Sequence, residues 1–182
     1  MSISGKNVAF LVSKEGIEQV ELTEPWQAVK NAGGTPKLIS TDPGQVQAYH
    51  HLDKADTFDV DVPTGQANPD DYAALVLPGG VANGDQVRMQ RPAVDFVAAM
   101  TAAGKPVGVI CHGGWVLIEA DAVGGRRMTS WPSMRTDFRN AGADWVDEEV
   151  VVDNTGFPLV SSRKPDDLPA FCRELVGAIE KV

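Results

Sequence analysis

Short apolar runs alternate with amphipathic segments along most of the chain, and this alternation predicts strands followed by helices. Residues 6–12 form the first predicted buried strand, and a turn at residues 13–16 leads into a predicted helix over residues 17–32. Apolar side chains recur there at roughly helical spacing, and Gly33-Gly34 ends the helix. Because Pro25 lies inside this segment, we expect a kink or a helix in two pieces.

The rest of the chain continues the pattern. It predicts strands over 36–40, 72–77, 106–110 and 127–131, helices over 92–103, 115–120, 134–141 and 169–182, and a hairpin from 150–152 and 159–162 around a turn at 153–156. Residues 41–72 are more polar and predict a small β-hairpin excursion. Strands that alternate with helices imply an α/β fold with a mostly parallel sheet covered by helices on both faces. Without an internal repeat or linker, residues 1–182 are expected to form one domain.

Composition narrows the class of protein. The 182 residues carry a formal net charge of −9, which argues against nucleic acid as a partner, since phosphate binding needs a basic face. Neither a signal-like segment nor a membrane-spanning apolar run is present, so we expect no membrane partner. Cys111 and Cys172 lie too far apart to suggest a disulfide framework, and a reducing cytoplasm is the expected location. The three histidines and two cysteines lack metal-ligand spacing, so we expect neither metal nor cofactor.

The end of the predicted strand 106–110 carries the most informative residue. Cys111 is followed by His112-Gly113-Gly114 and then by a helical segment, which predicts a strand-turn-helix corner with the thiol on a tight turn. A helix N-terminus beneath the thiol predicts a lowered pKa for Cys111. The alternative interpretation is a small apolar cysteine that closes a core strand.

Ligand sites in open parallel sheets lie at the carboxyl ends of strands, and three predicted strand ends carry candidate chemistry. Glu18 and Glu21 follow the first strand and, three residues apart, share one face of the predicted helix. Gly79-Gly80 follow another strand with unhindered N–H groups, and Cys111-His112 follow a third. Together they supply a thiol, a carboxyl group and oxyanion donors. The structural alternatives are acidic residues that stabilise a helix dipole, an ordinary turn and a satisfied histidine.

These residues and several further motifs identify the chain by its resemblance to a known family. It resembles the PfpI/ThiJ (DJ-one/PfpI) family of the class I glutamine amidotransferase-like superfamily along nearly its whole length. The stretches that carry the resemblance are residues 18–22, 75–80, 104–113, 140–153 and 161–171. The resemblance implies a flavodoxin-like three-layer sandwich, and a homodimer or larger assembly with the site near the interface.

The resemblance also implies roles for the site residues. Cys111 would be the nucleophile, and a protonated Glu21 would donate a hydrogen bond to its thiolate. Glu18 would share this role or line the pocket, and His112 would act as a base.

An oxyanion hole would come from Gly79, Gly80 and the backbone of His112, with Gly113 beside it. In protease-like members a Glu of the neighbouring subunit orients the histidine, and Asp85, after a segment one residue longer, is the nearest acidic candidate here. Gly114 stands where many relatives have Pro, so a looser helix start is expected.

Three functions share this predicted site. The leading one is a glyoxalase or deglycase, without cofactor, that acts through the Cys111 thiolate on reactive carbonyls such as methylglyoxal or on glycated proteins. The second is an intracellular cysteine peptidase, which needs an orienting acid for His112. The third is a redox sensor or stress chaperone in which Cys111 is oxidised to a sulfinate beside Glu21. A hydratase acting on isocyanides stays open within the superfamily, with no residue that favours it.

Overall fold

The computed structural model describes residues 2–182, and its elements follow the predicted alternation. The strands are β1 Asn7–Val12, β2 Glu15–Glu18, β3 Thr35–Ser40, β4 Gln45–His50, β5 Asp53–Asp59, β6 Val62–Pro63, β7 Ala74–Leu77, β8 Val107–Ile110, β9 Arg127–Met128, β10 Asp144–Trp145, β11 Val150–Asp153 and β12 Leu159–Ser162. The helices are α1 Gln19–Asn31, α2 Val81–Arg88, α3 Arg91–Ala102, α4 Trp115–Glu119, α5 Arg135–Asn140 and α6 Leu168–Glu180.

A seven-stranded sheet forms the centre, in the order β11-β12-β8-β7-β1-β3-β6. All neighbouring pairs are parallel except β11 with β12, which form the predicted hairpin at one edge. Alternate residues of the central strands bury into two separate cores: Ala9, Leu11 and Leu75 belong to one, Val8 and Phe10 to the other. The first core packs against α3, α4 and α5, and the second packs against α1 and α6. The predicted three-layer α/β sandwich with helices on both faces is therefore confirmed.

Two predicted boundaries near the site are wrong. The segment over residues 17–32 does not start as a helix, because residues 15–18 form the strand β2. This strand pairs in parallel with β4, and β4 pairs antiparallel with β5. The β4–β5 hairpin is the excursion predicted within residues 41–72, but β6 in the same range joins the edge of the central sheet instead. Helix α1 then runs unbroken through Pro25, so the two-piece helix is also wrong. Periodicity missed β2 because its partner strand lies about 30 residues away along the chain.

Helix α2 has no counterpart in the prediction. Its Asn83-Gly84 pair is typical of a turn, yet both residues are buried inside the helix. A Cβ at Gly84 would lie 2.3 Å from the carbonyl oxygen of His112, so glycine lets α2 pack directly against the turn after β8. Tertiary contact therefore overrides local propensity here. Within residues 2–182, no helix has both the length and the apolar character needed to cross a membrane.

Candidate active site

The predicted corner after β8 forms a sharp turn at Cys111. Residues Cys111–Gly114 make a single 3₁₀ turn that leads directly into α4, and Cys111 has a φ of +59°. A non-glycine residue in the left-handed region is uncommon, and strain of this kind is concentrated at functional sites. Such a turn sets the side chain at the carboxyl end of the parallel sheet, where ligands bind in folds of this class.

Close packing fixes the two glycines of this turn. A Cβ at Gly113 would lie 2.4 Å from the carbonyl oxygen of Leu77, and one at Gly114 would lie 2.6 Å from the Phe138 ring. The expected looser start of α4 at Gly114 is thus not what the packing indicates, because the absent side chain lets Phe138 seat against the backbone. Both glycines hold Cys111 in place by steric fit rather than by backbone freedom.

A cavity of about 590 Å³ opens beside Cys111. It lies between the end of the central sheet and the β4–β5 hairpin, whose turn carries His51 and Leu52. Its walls are formed by Glu15, Gly16, Glu18, Glu21, Tyr49, His51, Leu52, Gly80, Val81, Ala82, Asp85, Cys111, His112, Trp115, Trp131 and Pro165. The structure thus brings Cys111, His112, Glu18, Glu21, Gly80 and Asp85 to one cavity, as the sequence predicted.

Glu21 is completely buried in the first turn of α1. Burial, with a contribution from the nearby Glu18, raises the pKa of Glu21 from 4.5 to about 8, although Cys111 and the backbone of Gly79 act in the opposite direction. Within residues 2–182 neither carboxyl oxygen has a hydrogen-bond partner of good geometry. A Cβ at Gly79 would lie 2.2 Å from Oε2 of Glu21, so only glycine leaves room for this carboxyl group. At neutral pH the Glu21 side chain is therefore a neutral carboxylic acid beside the thiol.

The Cys111 thiol does not show the predicted lowering of its pKa. Burial raises the pKa of Cys111, and the adjacent Glu21 adds to the rise, while the backbone N–H groups of Gly80 and His112 oppose it. The prediction relied on a helix dipole, but α4 has only five residues and a 3₁₀ turn separates it from the strand. The thiol is therefore protonated at neutral pH.

The His112 ring contacts the Cys111 thiol. Its Nδ1 lies 3.2 Å from Sγ of Cys111. Its ring contacts two indoles: the ring centroids lie 5.2 Å apart for Trp115, in a tilted arrangement, and 5.7 Å apart for Trp131, in a stacked one. Burial lowers the pKa of His112 to about 4, so the ring is neutral at pH 7 and one ring nitrogen is an acceptor.

Glu18 reaches the cavity from a different element than predicted. It is the last residue of β2 rather than a residue on the same helix face as Glu21. Its Oε2 accepts a hydrogen bond from the backbone N–H of His51, 3.1 Å away, at the tip of the β4–β5 hairpin. Glu18 therefore connects the hairpin to the cavity, and one of its oxygens is committed to that contact.

The predicted backbone donors separate into two groups. The N–H groups of Gly80 and His112 face the Cys111 sulfur, whereas that of Gly79 interacts with Glu21. Gly113 packs against backbone carbonyls and does not line the cavity. Asp85 is exposed on α2 and lines the cavity, but no hydrogen bond within residues 2–182 joins it to His112. The oxyanion-hole and orienting roles stay predictions.

Two further residues shape the site, and the sequence analysis did not identify them. Asn83 is buried in α2, where its Oδ1 accepts from the N–H of Ser13 at 2.8 Å and its Nδ2 donates to the carbonyls of Pro78 and Gly79 at 2.9 and 3.0 Å. It therefore fastens the glycine corner to the end of β1. Trp131, whose backbone N–H donates to the carbonyl of Cys111 at 3.3 Å, supplies the indole against which His112 stacks. The only signal for either residue was proximity to a strand end.

Cys172 lies on α6, partly buried and away from the cavity, where burial and nearby Glu24 raise its pKa to about 12. This placement agrees with a packing role. Among residues 2–182, no group of three or more His, Cys, Asp or Glu side chains is arranged to hold a metal ion.

Comparison with known proteins finds relatives that match nearly the whole chain. A sequence model described as the DJ-1/PfpI family matches residues 6–178. A protein named deglycase from Pyrococcus abyssi is 43% identical over 171 residues, which cover 94% of this chain and 98% of that protein. General stress protein 18 of Bacillus subtilis is 41% identical over 177 residues, which cover 97% and 99%.

Solved structures agree with the fold. A two-domain protein from Anabaena variabilis, described as containing DJ-1/ThiJ/PfpI-like and ferritin-like domains, superposes with a TM-score of 0.88 at 31% identity. The match covers 96% of this chain and 48% of that longer protein. DJ-1 of Schizosaccharomyces pombe superposes with a TM-score of 0.78 at 18% identity, over 96% of this chain and 97% of the other.

Proposed function

The chain belongs to the DJ-1/PfpI family, and from that premise we propose that it is a cysteine-dependent enzyme that removes reactive carbonyls by glyoxalase or deglycase chemistry. Several relatives carry the name deglycase, which supports enzymatic activity, and one is named a general stress protein. The observation that carries the proposal is the 3.2 Å approach of the Cys111 sulfur to a neutral His112 ring in the wall of the cavity.

The first chemical step follows from this geometry. Sγ of Cys111 attacks the aldehyde carbon of methylglyoxal, and the thiol proton passes to Nδ1 of His112. The N–H groups of Gly80 and His112 stabilise the oxyanion, which then takes up the proton to give a hemithioacetal. Glu21, neutral at pH 7, donates to the sulfur while it carries negative charge.

The later steps need a proton carrier and water. A base, His112 or Glu18, moves the proton from the carbon bonded to sulfur to the neighbouring carbonyl carbon. The hydroxyl proton of the hemithioacetal passes to the former ketone oxygen in the same rearrangement, which gives a thioester of lactate. Water then cleaves the thioester, releases lactate and returns the thiol of Cys111. When the carbonyl arrives as a glycated adduct, Sγ of Cys111 instead displaces the amine from the hemiaminal carbon: the C–S bond forms, the C–N bond breaks and the thiol proton passes to the departing nitrogen. This releases the repaired amine and gives the same hemithioacetal, which then follows the same path to lactate.

The test is lactate formation from methylglyoxal in a buffer without small thiols. Cys111→Ala is expected to abolish lactate formation, and Cys172→Ser serves as the matched control because it removes the other thiol, away from the cavity. Lactate formed by Cys111→Ala at the wild-type rate would exclude Cys111 as the nucleophile. Absence of lactate with wild type, under conditions where iodoacetamide labels Cys111, would refute the carbonyl substrate and leave the peptidase or the redox sensor.

The redox sensor is favoured by one specific observation, the buried Glu21 carboxyl group without a hydrogen-bond partner of good geometry. Its O–H can donate to an oxygen of a Cys111 sulfinate. The peptidase has less support, because Asp85 makes no hydrogen bond to His112 within the described chain. An orienting acid would have to come from a second subunit.

We also propose the homodimer and the cytoplasmic location that the sequence suggested. Leu52 and Val81 lie largely exposed at the cavity, and a second copy of the chain would cover apolar surface of this kind. Sedimentation that shows only monomer at micromolar concentration would refute the dimer.

A further inference from the structure

The cavity beside Cys111 is lined by four acidic side chains and by no lysine or arginine. We propose that it selects electrophiles without negative charge and repels carboxylates, so that the hydroxy acid formed by the proposed reaction leaves rapidly. The selectivity itself depends only on the cavity, and the statement about product release rests on the proposed function.

The acidic side chains come from three different elements around the cavity. Glu15 and Glu18 belong to β2, Glu21 to α1 and Asp85 to α2. Glu21 is neutral below about pH 8, which leaves three formally negative groups at the wall at pH 7. In a partly enclosed cavity, charges of one sign act over a longer distance than on an open surface, because protein walls focus the field.

Two arginines close to cavity residues form ion pairs with acidic groups outside the cavity. Arg88 lies behind the cavity wall, 5.6 Å from the Trp115 ring centroid, and forms an ion pair with Glu119. Arg163, near the cavity residue Pro165, forms ion pairs with Asp147 and Asp167. Neither guanidinium lines the cavity, so no lysine or arginine offsets the acidic groups there. The basic side chain that faces an acidic group at the wall is His51, whose Nδ1 lies 3.8 Å from Oε2 of Glu18.

The remaining polar and aromatic groups lead to the same selectivity. The buried Glu21, which has no hydrogen-bond partner of good geometry among residues 2–182, is a neutral donor that suits sulfur or a carbonyl oxygen and supplies no positive charge. The faces of the two indoles, Trp115 and Trp131, carry negative electrostatic potential and attract cations rather than anions. Trp131 is 37% exposed, so part of its ring is open to ligand.

The charges of the proposed substrates and of the product are consistent with selection by a negatively charged cavity. Methylglyoxal is neutral, and its adducts on lysine or arginine side chains are neutral or cationic. The product lactate is an anion, as are 2-oxo acids such as pyruvate that also carry a carbonyl group. A cavity of this charge admits the first group and disfavours the second, so lactate and pyruvate are expected to inhibit weakly.

The test measures charge selectivity at Cys111 without using the proposed reaction. Three methanethiosulfonates modify the thiol: a neutral methyl reagent, a cationic trimethylammonioethyl reagent and an anionic sulfonatoethyl reagent. Mass spectrometry measures the rate at Cys111 in a Cys172→Ser background. At low salt the ratio of cation to anion rates, each normalised to the methyl reagent, is expected to exceed that of free 2-mercaptoethanol by about 100-fold.

Two variants distinguish the effect of the charges at the cavity from the effect of the net charge of the protein. The double variant Glu15→Gln/Asp85→Asn is expected to lower the ratio by about tenfold, since two of the three negative groups are gone. Asp95→Asn removes one charge from the exposed surface of α3, outside the cavity, and is expected to change the ratio less than twofold. A wild-type ratio equal to that of 2-mercaptoethanol, or an Asp95→Asn effect as large as that of the double variant, would overturn the proposal.

A second measurement addresses product release. If wild type turns over methylglyoxal, added lactate is expected to inhibit the double variant at least fivefold more strongly than wild type. Equal inhibition of both proteins would overturn the product-release statement. Charge-selective labelling without any methylglyoxal turnover would instead refute the proposed function and leave the selectivity standing.

Discussion

The burial of Glu21 makes a quantitative prediction about stability and pH. The pKa of this carboxyl group rises from 4.5 to about 8 in the folded protein, mainly through burial. The folded state therefore binds a proton that the unfolded state releases above pH 4.5. Stability from this group is fully present below pH 4.5 and is lost as the pH rises towards 8.

The size of the effect follows from the two pKa values. Linkage at about 1.4 kcal/mol per pH unit gives a loss of about 1 kcal/mol by pH 5 and about 4 kcal/mol by pH 8, a difference of about 3 to 4 kcal/mol. Glu21→Gln keeps the shape of the side chain and does not titrate. The variant is therefore expected to gain about 3 to 4 kcal/mol relative to wild type between pH 5 and pH 8.

Urea unfolding of both proteins at pH 5, 6.5 and 8 measures this difference. His112, whose pKa is lowered, contributes stability above its ordinary pKa of 6.5 that is lost as the pH falls towards 4, but it is present in both proteins and cancels. Glu174→Gln, on the exposed part of α6 beside Arg173, is the control and is expected to show no such pH dependence. A difference between Glu21→Gln and wild type that stays constant with pH would refute the raised pKa of Glu21.

Two further predictions concern the supports of the site. Gly113→Ala places a Cβ 2.4 Å from a backbone carbonyl oxygen and is expected to cost about 3 kcal/mol or more in urea unfolding and to slow labelling of the Cys111 thiol by iodoacetamide. Gly65→Ala, where the added Cβ meets nothing within 4 Å, is the control, and equal effects of the two changes would contradict the steric argument. Asn83→Leu removes three buried hydrogen bonds and is expected to cost about 3 kcal/mol. Asn83→Asp, which keeps the acceptor for Ser13, should cost less, and identical losses would show that these hydrogen bonds do not act as described.

The sequence predicted the site better than it predicted the surrounding secondary structure. Apolar runs marked β1, β7 and β8, and parallel strands necessarily bring their carboxyl ends to one edge, so Cys111 and Gly80 could be placed together from the sequence. Glu18 lies at the predicted site, but it belongs to strand β2 and not to the predicted helix. The pairing of β2 with a distant hairpin leaves no periodic signal in four residues.

What the sequence determined by itself was the layered α/β fold, because buried strands and amphipathic helices carry periodic patterns that local chemistry dictates. Family resemblance then indicated Cys111, Glu21 and His112. Only the tertiary structure decided the protonation of these groups, because a pKa depends on burial and on neighbours from other elements. The thiol expected to be acidic has a raised pKa, and the histidine 3.2 Å from its sulfur has a pKa lowered to about 4 by burial. Side chains far apart in sequence create that environment, so no local pattern could have predicted it.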